Sequence, residues 1–268
     1  MPQVHANGIN INYEASGSGE PLLLLPGTAN DHSLWNGQIE EYRKEYRCVA
    51  MDPRGAGGTD GGDVRPYSVR LLADDVAALL RTLDITRAHV AGLSLGSAIA
   101  QEMAINHPEA VHTLSLHATW GRTADHPHLQ RQLEIRKRLA EIGDWALCVA
   151  NSSLFLFTPR FINDHEAEVV RRELVRVENP PLLETVVQHY TADLGHDAVD
   201  RLDLIRCPTL ITVGKEDHVT LPEYCRAVQQ RIAGSEMVIL EGGGHLAIIQ
   251  AALEFSRCTL EFMRRHPM

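Results

Sequence analysis

The sequence predicts an α/β protein: a mostly parallel central sheet with helices on both faces and a block of helices inserted past its middle. Three observations predict this. Short, wholly apolar runs such as Leu22–Leu25 are too brief for helices and suit strands buried on both sides. Longer segments with apolar residues at helical spacing lie between the strand signals, so strand and helix alternate. From about Gly121 to Asp200 the alternation stops, and only helical patterns follow one another.

Val4–Tyr13 reads as two strands around Asn7-Gly8, a dipeptide suited to a tight hairpin turn. Ser16–Gly19 is a loop and Leu22–Leu25 a central strand. Ser33–Tyr46 is expected to be helical, with Trp35, Ile39 and Tyr42 on one face, and Arg47–Met51 to be the next strand. Leu71, Leu72, Val76, Leu79, Leu80 and Leu83 give Ser68–Leu83 a clear helical period. His89–Leu93 is a strand, Ala98–His107 a helix stopped by Pro108, and Val111–Leu116 a strand. Within the inserted block, Arg131–Ile142, Trp145–Phe157, Asp164–Arg176 and Pro181–Leu194 are expected helices. Strands return at Leu210–Val213 and Met237–Leu240, and Leu246–Met263 is helical. The expected division is a core of residues 1–120 and 201–268 with residues 121–200 inserted.

A chain of 268 residues with 44% hydrophobic content can bury one sizeable core. A net charge of -10 repels phosphate backbones and anionic lipid, which excludes nucleic acid and membrane as expected partners. A small-molecule substrate is expected, and assembly into a homo-oligomer stays open. Met1–His5 lacks a basic region followed by an apolar stretch, so no signal peptide is expected, and no apolar run approaches a membrane span. Cys48, Cys148, Cys207, Cys225 and Cys258 are odd in number and scattered, as for reduced thiols of a cytoplasmic protein. No phosphate-binding glycine motif is present, so no nucleotide cofactor is expected. Asp125-His126-Pro127-His128 has metal-ligating residue types, but two histidines at a helix start are more simply solvated, and no metal is expected.

Chemistry concentrates at Ser94. Gly92-Leu93-Ser94-Leu95-Gly96 is G-x-S-x-G placed directly between a strand and a helix. A serine on such a turn is held in a strained backbone with its hydroxyl exposed and a helix N-terminus behind it. The Leu95 amide is then free to donate to an oxyanion. A serine nucleophile needs a base, and the base an orienting acid. Downstream, Leu210–Val213 runs into Gly214-Lys215-Glu216-Asp217, and Met237–Leu240 runs into Glu241-Gly242-Gly243-Gly244-His245. The order is therefore Ser94, Asp217, His245.

With these motifs the chain resembles the α/β-hydrolase family over nearly its whole length. Leu22–Gly27 looks like the third strand and oxyanion loop, and Asp52-Pro53-Arg54-Gly55-Ala56-Gly57-Gly58-Thr59-Asp60 like the family's turn after the fourth strand. Gly214–Asp217 matches its G-x-x-D acid loop, and Gly244-His245 its histidine loop. One departure is clear: Pro26-Gly27 stands where the family usually has His-Gly, so the imidazole that often buttresses that loop is missing. The resemblance implies that residues 121–200 are a cap over the carboxyl ends of the strands. It also implies Ser94 as nucleophile, His245 as general base and Asp217 as its orienting acid. The Leu95 and Thr28 amides would form the oxyanion hole, and no cofactor is involved. The implied activity is hydrolysis of a carboxylic ester or lactone, loosely like that of the 3-oxoadipate enol-lactonases. A C–C bond hydrolase or a perhydrolase would carry the same triad, and a ligand receptor on this fold would have no need of it.

Several residues have a plainer reading beside the functional one. Glu216 neighbours Asp217 and is expected to be a solvated loop acid. His218 and His32 are the next histidines that could serve as base, and both are expected in surface loops. Trp120, just past a strand, is either a wall of the substrate pocket or a core tryptophan. Arg136-Lys137-Arg138 lies in a helix with an apolar opposite face and is most simply solvent-facing; clamping a carboxylate-bearing substrate is the alternative. Trp145 and Phe155 are candidate apolar walls within the insertion.

Overall fold

A strand buried on both faces must be apolar at every position, and Leu22–Leu25 meets that demand: Leu23 and Leu25 pack into one hydrophobic cluster, Leu22 and Leu24 into another on the opposite face. The computed structural model describes residues 2–268. Its elements begin with β1 (Gln3–Ala6), β2 (Ile9–Ser16), β3 (Glu20–Leu25), α1 (Asn36–Tyr42), β4 (Tyr46–Met51), α2 (Val69–Thr82), β5 (Ala88–Leu93), α3 (Leu95–Asn106) and β6 (Val111–His117). Five helices follow: α4 (Pro127–Ile142), α5 (Trp145–Leu156), α6 (Pro159–Asp164), α7 (Glu166–Glu178) and α8 (Leu183–Leu194). The chain closes with β7 (Thr209–Gly214), α9 (Pro222–Gln229), β8 (Glu236–Leu240), α10 (Ala247–Gln250) and α11 (Ala252–Arg264). Among the described residues no helix is long and apolar enough to cross a membrane.

The strands form one sheet in the order β1-β2-β4-β3-β5-β6-β7-β8. The β1–β2 and β2–β4 pairs are antiparallel, and all pairs beyond them are parallel. The larger cluster takes α2, α3 and the buried sides of α4, α5 and α8; the smaller one takes Trp35, Ile39 and Tyr42 beside Phe255, Leu260 and Met263.

Element boundaries differ from the sequence reading where a turn intervenes. The stretch expected as one helix over Ser33–Tyr46 is a short 3-10 turn and then α1, which ends at Tyr42, because Tyr46 already pairs with Glu20 in the sheet. The helix expected over Asp164–Arg176 starts two residues later, at Glu166: Asp164 ends α6, which Thr158 caps with Pro159 at its first position, and the backbone leaves helical geometry at His165 before α7. Leu246–Met263 likewise breaks at Ala251. His32, expected on the surface, is buried and bound to the equally buried Asp52, at 2.9 Å through its amide and 2.6 Å through Nδ1. The second Asp52 oxygen accepts from Asn12 Nδ2 at 2.7 Å and Gly58 N at 2.8 Å, which closes the turn after β4.

Beside that turn Arg54 and Asp75 form a buried two-pronged ion pair, Nε to Oδ2 at 2.8 Å and Nη2 to Oδ1 at 2.5 Å. Removing one partner of such a pair leaves the other charged and unsolvated. Asp75→Ala is expected to lower the unfolding free energy by about 3–5 kcal/mol. The exposed Arg70–Asp74 pair sets the contrast: Arg70→Ala should cost about 1 kcal/mol or less. Urea titrations of the two variants beside the parent check this, and equal losses would contradict it.

Candidate active site

The sheet order reverses at β3, which has β4 on one side and β5 on the other. Chains leaving the carboxyl ends of β3 and β5 therefore diverge and leave a crevice, the usual ligand position in open α/β sheets. Ser94 sits there, the single residue between β5 and α3, at φ 55° and ψ -120°. Positive φ is costly for a serine and persists only where the surroundings enforce it. Here close packing does so. A Cβ on Gly92 would lie 2.1 Å from the Gly96 carbonyl oxygen, and one on Gly96 would lie 2.2 Å from that of Leu25. The Ser94 amide donates to His117 O at 2.9 Å, which ties the turn to β6.

Asp217 and His245 come from the loops after β7 and β8, and both are buried. His245 Nδ1 lies 2.9 Å from Asp217 Oδ2 and 3.2 Å from Oδ1. The carboxylate also accepts from the amides of Val219 and Thr220 at 2.8 and 2.9 Å and from the Thr220 hydroxyl at 2.9 Å. With its orientation held by three other donors, the carboxylate is placed to accept a hydrogen bond from Nδ1–H, the tautomer that leaves the Nε2 lone pair free. Glu216 is exposed, as expected. Ser94 and His245 line the same cavity, with no direct hydrogen bond between them among the described residues; such bonds often tighten only with substrate present.

The loop after β3 is held from the insertion. Thr28 donates its hydroxyl to Asp193 Oδ2 at 2.6 Å, and the Ala29 amide donates to His189 Nδ1 at 3.3 Å. His189 in turn donates Nε2–H to Arg54 O at 2.8 Å. Burial pushes the His189 pKa down, which keeps the ring neutral and able to accept at Nδ1. An imidazole thus does buttress this loop, but it comes from α8 and not from the position of Pro26. Sequence reading missed His189 and Asp193. Their four-residue spacing on one helical face was the available signal.

The cavity in front of Ser94 has a volume of about 60 Å³ and is lined by Gly27, Thr28, Trp120, Tyr190, Asp193 and His245 among others. It adjoins a larger cavity of about 650 Å³, and the two share Asn30, Leu34, Ser152, Leu156, Arg176 and Leu246 along their boundary. Trp120 is both a wall and buried, its Nε1 donating to Thr123 at 2.7 Å. Arg136 corrects the solvent-facing reading of its basic run: it is buried and lines the inner cavity, while Arg138 is exposed. Trp145 and Phe155 line neither cavity; each lies behind an arginine, Arg176 and Arg136 respectively. His218 is exposed.

The grouping considered for metal is dispersed in its contacts, His126 stacking on Tyr224 at 3.8 Å and His128 meeting Gln132 at 2.9 Å. All five cysteines are free, and burial pushes Cys207 and Cys258 up to about 11, which disfavours a thiolate.

Burial raises the Asp193 carboxyl to about 7, against the opposing pull of the Thr28 hydroxyl and Arg136. The folded state therefore binds this proton more tightly than the unfolded chain does. Its stabilising contribution is complete below the unfolded pKa of about 4 and is lost as pH rises to about 7. At about 1.4 kcal/mol per tenfold change in proton affinity, the ceiling is about 4 kcal/mol. Asp193→Asn should gain stability relative to the parent between pH 5 and pH 8. Denaturant midpoints at the two pH values check this, and a gap that does not change with pH would contradict it.

A family model described as the alpha/beta hydrolase fold matches residues 20–252. Two curated relatives, each named as a candidate carbamate hydrolase, RutD, are 30% identical to the chain. The one from Azorhizobium caulinodans covers 91% of each chain, and the one from Rhizobium rhizogenes covers 95% of this chain and 98% of its own. The enol-lactonase from Burkholderia xenovorans superposes with a TM-score of 0.88 at 24% identity, over 97% of this chain and 99% of its own. An alpha/beta hydrolase from a Medee basin deep-sea metagenome gives 0.91 at 20% identity, over 97% and 96%. At these identities the solved structures speak for the fold.

Proposed function

The chain belongs to the α/β-hydrolase family and is a hydrolase, and from that premise we propose that it cleaves a carboxylic ester or lactone of a small molecule through Ser94, His245 and Asp217. One observation carries the reading. A serine held at positive φ at a helix N-terminus faces the same cavity as a histidine whose Nδ1 is 2.9 Å from a buried carboxylate. Ser94 Oγ attacks the carbonyl as His245 Nε2 takes its proton. The Leu95 and Thr28 amides receive the oxyanion, and His245 returns the proton to the leaving alcohol. Water then attacks the acyl-enzyme with His245 again as base. Residues 121–200 act as the cap: α8 holds the Thr28 loop, and helices α4, α5 and α7 close the cavity against water.

A carbamate is the second reading, favoured by the two 30% identical relatives that bear that name. It needs no change of machinery, since a carbamate presents the same carbonyl to Ser94. Initial rates across p-nitrophenyl esters of graded chain length, a lactone panel and simple carbamates distinguish the readings.

Ser94→Ala should fold with an unchanged melting profile and lose hydrolysis by about 10⁴-fold or more. A serine-directed phosphonate that labels another residue stoichiometrically and spares Ser94 would overturn the assignment. Asp217→Asn should lower kcat/KM by roughly 10³- to 10⁴-fold through misorientation of the imidazole, and Glu216→Gln should stay within about threefold. Parallel kinetics on the two variants, at matched stability, decide between the neighbouring acids.

A further inference from the structure

The inner cavity is built around a cation that the protein itself does not neutralise. Arg136, on α4, is 5% exposed and lines the cavity with Ser94 and His245. A guanidinium has five N–H donors. Here Nη2 donates to Gln132 Oε1 at 3.0 Å, while the buried Nε has no partner, and the cationic carbon lies 5.3 Å from the centre of the Phe155 ring. No carboxylate lies within ion-pair distance of Arg136 among the described residues; Asp193 and Asp217 act on it only from farther away. Asp217 is engaged by His245, and Asp193 holds the Thr28 hydroxyl and carries a proton over much of the acid range.

Burying an unpaired guanidinium is costly, and burial indeed pulls the Arg136 pKa down. A purely structural role does not account for it, because a structural arginine spends its donors on protein acceptors. Arg176, at the boundary of the two cavities, does so: it donates to Asn30 Oδ1 at 2.7 Å and Ala29 O at 3.2 Å and so pins the Thr28 loop. Arg136 is the one with donors to spare, and it borders the inner cavity and not the outer one. The inner cavity, at about 60 Å³, is much smaller than the outer one at about 650 Å³.

Resting on the hydrolytic reading of Ser94, we infer that Arg136 receives a carboxylate of the substrate, so that the chain acts on small acyl compounds whose enclosed portion carries a negative charge. Arginine is suited to this by shape and setting, since its planar fork matches a carboxylate and a low-dielectric cavity strengthens the contact. The carboxylate completes a charge pair that the folded protein leaves half-made. A neutral substrate of the same shape would fill the cavity and leave the guanidinium unpaired.

The test uses two nearly isosteric esters, monomethyl succinate and methyl 4-methylpentanoate, with methanol release as the readout. The parent should favour the charged ester in kcat/KM by tenfold or more. Arg136→Gln should lower that ratio by about 10- to 100-fold, Arg136→Lys should restore part of it, and Lys137→Gln on the neighbouring surface position should leave it unchanged. A second arm measures binding of monomethyl succinate to Ser94→Ala by calorimetry, where adding Arg136→Gln should weaken Kd at least tenfold. Melting profiles show that each variant is folded, and Arg136→Lys serves if the Gln variant is not. Turnover of both esters with no charge preference, or equal loss of both in Arg136→Gln, overturns the carboxylate site and leaves the hydrolase reading standing. Binding that depends on Arg136, with neither ester cleaved, supports the carboxylate site and counts against the ester reading. Absence of Arg136-dependent binding overturns the site whatever the turnover.

Discussion

The turn between β5 and α3 is the constraint on which the rest of the site depends. One residue must convert a strand into a helix, and that residue is a serine at φ 55°. The conversion is possible only because the backbones of Leu25, Gly92 and Gly96 meet at distances no side chain would allow. Those contacts in turn require β3 and β5 to be neighbours in register, with Leu25 beside Gly92. The all-apolar strands that enforce this register, packed by clusters on both faces, are thus the foundation of the Ser94 geometry.

The five helices after β6 do more than cover that turn. The loop after β3 hangs from α8 through Asp193 and His189, and from α7 through Arg176. The histidine loop is tied to the end of α5, where Leu246 N donates to Leu156 O at 3.0 Å. Both loops that must converge on Ser94 are therefore positioned in part by the insertion. Their spacing depends on how those helices pack, so substitutions there reach Thr28 and His245 through the backbone without touching them.

Electrostatics divides the molecule into a negative whole and a positive interior. The net charge of -10 is spread over a solvated surface, where salt screens it within about 10 Å. Inside the cavity the count differs: Arg136 and Arg176 face an Asp193 that burial keeps protonated up to about pH 7. Low dielectric makes these few buried groups outweigh many exposed ones for anything that enters. The surface sets solubility and encounter, and the cavity sets what is retained.

Much of this was legible in the chain because it is local. G-x-S-x-G, G-x-x-D and the glycine-flanked His245 each encode a turn within a few residues, and the strand and helix periods need no partner to be read. Element ends were harder, as at Tyr46 and His165, because sheet register and capping decide them over residues outside the window. What the sequence could not express was which face of an amphipathic helix meets which cavity. Arg136 and Arg138 are two residues apart in one basic run, yet one is buried beside Ser94 and the other is in water. His32 read as a surface-loop histidine and His189 drew no notice, because Asp52 and the Ala29 amide reach them only in the folded chain. The local pattern determined the fold and the order in which Ser94, Asp217 and His245 follow one another. Only the tertiary packing decided which charges were desolvated, since desolvation depends on what the rest of the chain places around a group.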